Sequence, residues 1–118
     1  MEKKDLKERT KKFALKVIKV VEMLPRGRIA DILGRQLLRS GTSVGANYRS
    51  ACRARSTADF ISKMGVVEEE ADETIYWMEL LIEAGLVRKD DLISLLDEAN
   101  QILAITISSI KTAQKSKK

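Results

Sequence analysis

The sequence contains no histidine. That absence removes serine and cysteine triads with a histidine base, histidine-ligated zinc and the Glu-x-x-His di-iron site of ferritin-like bundles, and most helical enzymes go with them. Cysteine is nearly absent too. Cys52 stands alone, which excludes an internal disulfide; among alanines in a helical pattern it reads as a small buried hydrophobe rather than a nucleophile. Proline occurs once, glycine six times and aromatics make up 4% of residues, too little punctuation for a many-turned sheet protein and too few rings for base stacking. No apolar run approaches the ~18 residues of a membrane span, and the lysine-rich start has no apolar core behind it. Neither insertion nor export is indicated, and a cytoplasmic location is expected.

What remains is a chain of 118 residues, 44% hydrophobic and 33% charged, enough for one domain over residues 1–118 with its own core. Apolar spacing predicts four helices and no strand. The first, about residues 5–24, aligns Leu6, Phe13, Ala14, Val17, Val20, Val21 and Leu24 and stops at Pro25. The second, about 29–55, carries Leu33, Leu37, Val44, Tyr48 and Ala51, with a kink allowed near Gly41. The third, about 57–84, opens on the capping-box-like Ser56-Thr-Ala-Asp59 and runs a seam of Phe60, Met64, Val67, Ala71, Thr74, Met78 and Leu81 to a stop at Gly85. The fourth, about 89–113, begins with Asp90 and Asp91 and aligns Leu92, Leu96, Ala99, Leu103, Thr106 and Ile110, leaving a basic tail to fray. Short connections make this an all-α, antiparallel up-down-up-down four-helix bundle.

The net charge of +5 conceals segregation. Residues 26–55 hold seven arginines against Asp31, whereas residues 56–84 hold Lys63 against eight acids. On a helical wheel Arg35, Arg39, Arg49 and Arg53 fall within about 80° of arc, and Arg9, Lys12, Lys16 and Lys19 form a second such rail on the first helix. Guanidinium forks match phosphate oxygens and clustered cations gain by counterion release, so both rails are candidate nucleic-acid contacts. The bland alternative is that they are solvated faces or partners for the third helix's acids. Scarce aromatics favour recognition of RNA shape and backbone over base reading.

Within the third helix, Glu70 and Glu73 share an angle with Val66 and Trp77, near Lys63. Charge embedded in a partly apolar face suggests a subunit or partner interface. A Glu70-x-x-Glu73 pair lacks the further ligands a di-iron centre needs, and no nucleophile accompanies it. No metal, cofactor or catalytic residue is assigned, and no enzyme is expected. Gly41 and Gly45 stack on one helix face among Ser40, Ser43 and Ala46, so a neighbouring backbone can approach there. Asn47 in that stretch is placed to bond a carbonyl or carboxylate.

Three segments, QLLRSGTSVGAN at Gln36 to Asn47, RSTADFISKM at Arg55 to Met64 and EADETIYWMELL at Glu70 to Leu81, resemble the bacterial four-helix-bundle family first noticed in intervening sequences of 23S ribosomal RNA genes. The similarity covers nearly the whole chain. It implies a homo-oligomeric ring, usually a pentamer, and no catalysis. It also implies a structural relative, the accessory variability protein of diversity-generating retroelements, whose ring binds a reverse transcriptase and RNA through basic surfaces. Position by position, the family asparagine falls on Asn47, the aromatic pair on Tyr76 and Trp77, and the acids on Glu70 and Glu73. Ser50 and Glu69 depart from the glutamate and lysine the family often has there, so ion pairs built on those positions are not carried over.

Together these features predict a non-enzymatic ring-forming adaptor for structured RNA or another nucleic acid, with a protein partner such as a reverse transcriptase as a further expectation. Its nucleic-acid contacts would be Arg9, Lys12, Lys16, Lys19, Arg35, Arg39, Arg49 and Arg53. Its oligomer interface would hold Gly41, Gly45, Asn47, Lys63, Glu70, Glu73 and Trp77. The alternative is a purely structural or protein-interaction scaffold with no nucleic-acid ligand.

Overall fold

The computed structural model describes residues 3–116, with side chains from Leu6 onward. The helices are α1 (Lys3–Glu22), α2 (Arg28–Ala51), α3 (Thr57–Glu83) and α4 (Lys89–Ser116), and no strand occurs among the described residues. α4 runs past the expected end at Ala113, through most of the tail expected to fray; Lys117 and Lys118 lie outside the described residues.

Each boundary has a local cause. α1 tightens at its end, where the Leu24 N–H reaches only back to the Val21 carbonyl before Pro25 stops the helix. α2 starts at Gly27, whose φ of 148° few other residues adopt. It is continuous through Gly41 with no break, and ends at Ala51, earlier than expected, so Arg53 falls in the turn beyond. α3 ends in a Schellman-type turn: the Leu86 N–H donates to the Leu81 carbonyl while Gly85 takes a φ of 76°.

The α2–α3 turn is closed from both sides. The Ser56 hydroxyl accepts the Asp59 N–H at 3.0 Å, and the Asp59 carboxylate accepts the Arg55 N–H at 3.1 Å and Lys63 Nζ at 2.9 Å. The Lys63 hydrogen bond, and then the Arg55 N–H, hold the Asp59 carboxyl below its usual 3.8. Ser56→Ala should cost about 1 kcal/mol in chemical denaturation. A carboxyl with a depressed value stabilises the fold above its ordinary value and loses that contribution as pH falls through the lowered one. Asp59→Asn should therefore melt below wild type near neutrality, with the gap closing well below pH 3.8. A gap that persists in acid would contradict this role.

The rod measures 51 × 21 × 21 Å. α2 packs on α1 and on α3, α3 on α4, and α1 meets α4 only sparsely. The core is the expected seam: Phe13 and Val17 from α1, Leu37 and Val44 from α2, Met64, Val67, Met78 and Leu81 from α3. In α4 the buried set differs in part, with Leu95 and Ile102 inside and Leu96 and Leu103 half-buried. Leu92, Ala99 and Thr106 are buried as expected, so the stripe keeps its centre and differs only in which neighbour of each leucine or isoleucine pair turns inward. Ser40 and Thr74 are buried between α2 and α3, where the Thr74 hydroxyl donates to the Ser40 hydroxyl at 3.0 Å. Tyr48 is buried, and burial followed by the neighbouring Cys52 pushes its hydroxyl far above the usual phenol range, so it belongs to the core as a neutral group. Cys52 is half-buried and caps α2, less enclosed than its neighbours suggested.

Candidate nucleic-acid interface

The eight cations expected to face a polyanion separate into two groups. Arg9 turns toward α4: Nη2 and Nε donate to the two Glu98 oxygens at 2.6 and 3.0 Å, and Nη2 also reaches Gln101 at 3.1 Å. Its side chain and that of Glu98 are only 23% and 25% exposed, so Arg9 is a clamp between helices rather than an outward contact. Arg39 spans to α3, donating to both Glu70 oxygens at 3.2 and 3.3 Å and to Glu73. Arg35 is exposed and pairs with Asp31 one turn earlier at 3.0 Å. The other five, Lys12, Lys16, Lys19, Arg49 and Arg53, are exposed, with no ion pair among the described residues.

The expected oligomer interface needs correction at Gly41 and Gly45, where the chain fills the space itself. A Cβ on Gly41 would lie 2.8 Å from both Val17 methyls, and one on Gly45 would meet the Thr10 side chain at 3.2 Å and its carbonyl at 3.3 Å. The helix admitted by the small residues is α1 of the same chain. Lys63 bonds Asp59, and Asn47 donates to the Ser43 carbonyl at 2.8 Å on its own helix. Glu70 and Glu73 share the single Arg39 guanidinium within the monomer, so the trio keeps one net negative charge. Trp77 is half-buried, with no hydrogen-bond partner for its indole N–H among the described residues. Tyr76 packs on it edge to face, with ring centroids 5.0 Å apart, and is the more exposed ring.

Direction matters more than segment counts. Because the helices alternate, α1 begins where α2 ends, and α3 begins there too, while Ala113 and Ser116 of α4 lie against Cys52 and Phe60. This foot of the rod collects Lys7, Lys11, Arg49, Arg53, Arg55, Lys63, Lys111 and Lys115. Acids concentrate toward the other end, at Glu79, Glu83, Asp90 and Asp91. Lys7, Lys11 and Arg55 were not among the expected contacts. Reading alternate segments in reverse would have exposed them. No grouping of three or more His, Cys, Asp or Glu side chains able to hold a metal occurs among the described residues, and no helix there is long and apolar enough to cross a membrane.

This sequence matches the model of the family described as 23S rRNA-intervening sequence protein over residues 2–108. The chain belongs to that family. Among solved structures, this 23S rRNA-intervening sequence family member is similar to a crystal structure from Bacteroides thetaiotaomicron, described as a protein of unknown function from the S23 ribosomal protein family. The two share 36% identity with a TM-score of 0.87, covering 94% of this chain and 99% of the other. No curated protein matches it.

Proposed function

We propose that this family member is a non-catalytic adaptor that assembles as a homo-oligomeric ring and holds structured RNA on its basic surface. The observation that carries the reading is the set of exposed cations without carboxylate partners among the described residues, Arg49 and Arg53 at the foot and Lys12, Lys16 and Lys19 along α1. Self-association is supported by the flank shared by α2 and α3. There Ile29, Ile32, Val66 and Tyr76 are exposed, around the Arg39 ion pairs to Glu70 and Glu73. A protein partner such as a reverse transcriptase would compete for that flank or for an end of the ring.

That apolar flank also favours the scaffold reading, in which self-association is the whole task. Light scattering and a salt titration of binding to a structured RNA separate the two. The adaptor should have a mass several times the 13.3 kDa monomer and an affinity that falls steeply with salt. A monomer overturns the ring. An oligomer with no RNA affinity even at low salt leaves the scaffold.

A further inference from the structure

The cationic foot is shaped as well as charged. Two open grooves meet there and share a wall. One, about 470 Å³, lies between α1 and α2 and is lined by Lys7, Lys11, Thr42, Gly45 and Arg49, with Glu8 as its carboxylate. The other, about 490 Å³, is lined by Arg49, Ser50, Arg53, Arg55 and Lys63. Ala46 and Arg49 line both, so the two grooves lie side by side with Arg49 between them.

Three properties define what fits. The α2 residues lining the grooves between the arginines are small, Gly45, Ala46 and Ser50, so a bulky anionic group can approach α2 closely. The charge is available: Asp59 is the acid beside the second groove, and it is occupied by the Arg55 N–H and Lys63. Those bonds also fix the turn that carries Arg53 and Arg55, which lowers the ordering cost of gripping a ligand there. Last, neither groove has an aromatic lining residue. Phe60, half-buried, lines a separate groove on the other side of Arg55, and Tyr76 and Trp77 lie roughly 20 Å further along α3 from Lys63 at the helical rise.

A groove with spaced cations and no ring offers nothing to an unpaired base, whose binding ordinarily draws on stacking with aromatic side chains. A double helix keeps its own stacking and presents phosphates at fixed spacing, which such a groove can match without reading sequence. We infer that the adjoining grooves around Arg49, Arg53 and Arg55 grip the phosphodiester backbone of double-helical RNA, independently of base sequence. This rests on the nucleic-acid reading above and adds to it the site and the form of the ligand.

The test is fluorescence anisotropy with the full chain, using two blunt RNA duplexes of unrelated sequence and an oligouridine strand of equal length. Wild type should bind both duplexes alike and oligouridine more weakly. Arg49→Gln/Arg53→Gln/Arg55→Gln should weaken duplex binding by about tenfold or more and reduce the slope of log K against log salt by about 0.9 for each phosphate no longer neutralised. Arg26→Gln/Arg28→Gln/Lys89→Gln removes the same charge from the opposite end and should leave affinity within about twofold, because screening confines the effect of distant charges. Circular dichroism checks that both variants are folded. Equal losses in the two variants, a preference for oligouridine, or wild-type affinity in the groove variant would each overturn the site while leaving RNA binding intact. Failure of wild type to bind any of these RNAs at low salt would instead remove the functional reading beneath it.

Discussion

Gly41→Leu should lower stability by about 2 kcal/mol, a fall in Tm of roughly 8 °C. The added side chain enters space already held by the two Val17 methyls, 2.8 Å from a Cβ at that position. Overpacking of this kind costs up to about 3 kcal/mol, and a β-branched neighbour cannot rotate away. Helix propensity returns under ~1 kcal/mol, which does not reverse the sign. Pairing the change with Val17→Ala should recover at least about 1 kcal/mol relative to the sum of the single variants, since the two positions share one volume. The loss should not depend on protein concentration. If Gly41 instead met a neighbouring subunit, the Tm difference would grow on dilution and light scattering would show a smaller assembly.

Arg9→Ala should cost about 1–2 kcal/mol. Removing one partner of a fully buried pair costs more, but Arg9 and Glu98 are each about a quarter exposed, so solvent screens part of the loss. The effect should be local. α1 and α4 meet sparsely, so loss of this bidentate clamp should speed hydrogen exchange in α4 around Glu98 and leave α2 and α3 protected. Glu98→Gln should lose less than Arg9→Ala, since the amide still offers one acceptor, and the double variant should be less destabilised than the two losses added. Unchanged stability combined with weaker RNA affinity would restore Arg9 to the polyanion-facing group.

Helix number and most of the core were legible because periodic apolar spacing and local caps act within a few residues. Ser56 and Asp59, Pro25 and Gly85 each act where their side chains or backbone angles lie. That the arginines could serve the third helix's acids was legible, and Arg39 does so, but which charges pair was not. Arg9 meets Glu98 across 89 positions, and Arg39 meets Glu70 and Glu73, through the axial register between helices, which no single-helix wheel contains. The same blindness placed Gly41 and Gly45 at a subunit boundary. Small residues announce a close approach without saying from which helix it comes. In α4 the reading of Leu92, Ala99 and Thr106 held, but Leu95 with Leu96 and Ile102 with Leu103 are adjacent apolar pairs whose inward member depends on the neighbouring helices rather than on spacing.

An even number of alternating helices has a practical corollary. α1 starts and α4 finishes beside the arginine-lined turn, so an affinity handle or fluorescent fusion placed ahead of α1 or after α4 would crowd the grooves there and shield their charge. The hairpin around Arg26 and Gly27, at the far tip of a 51 Å rod, is the position from which a reporter would watch those grooves without standing in them.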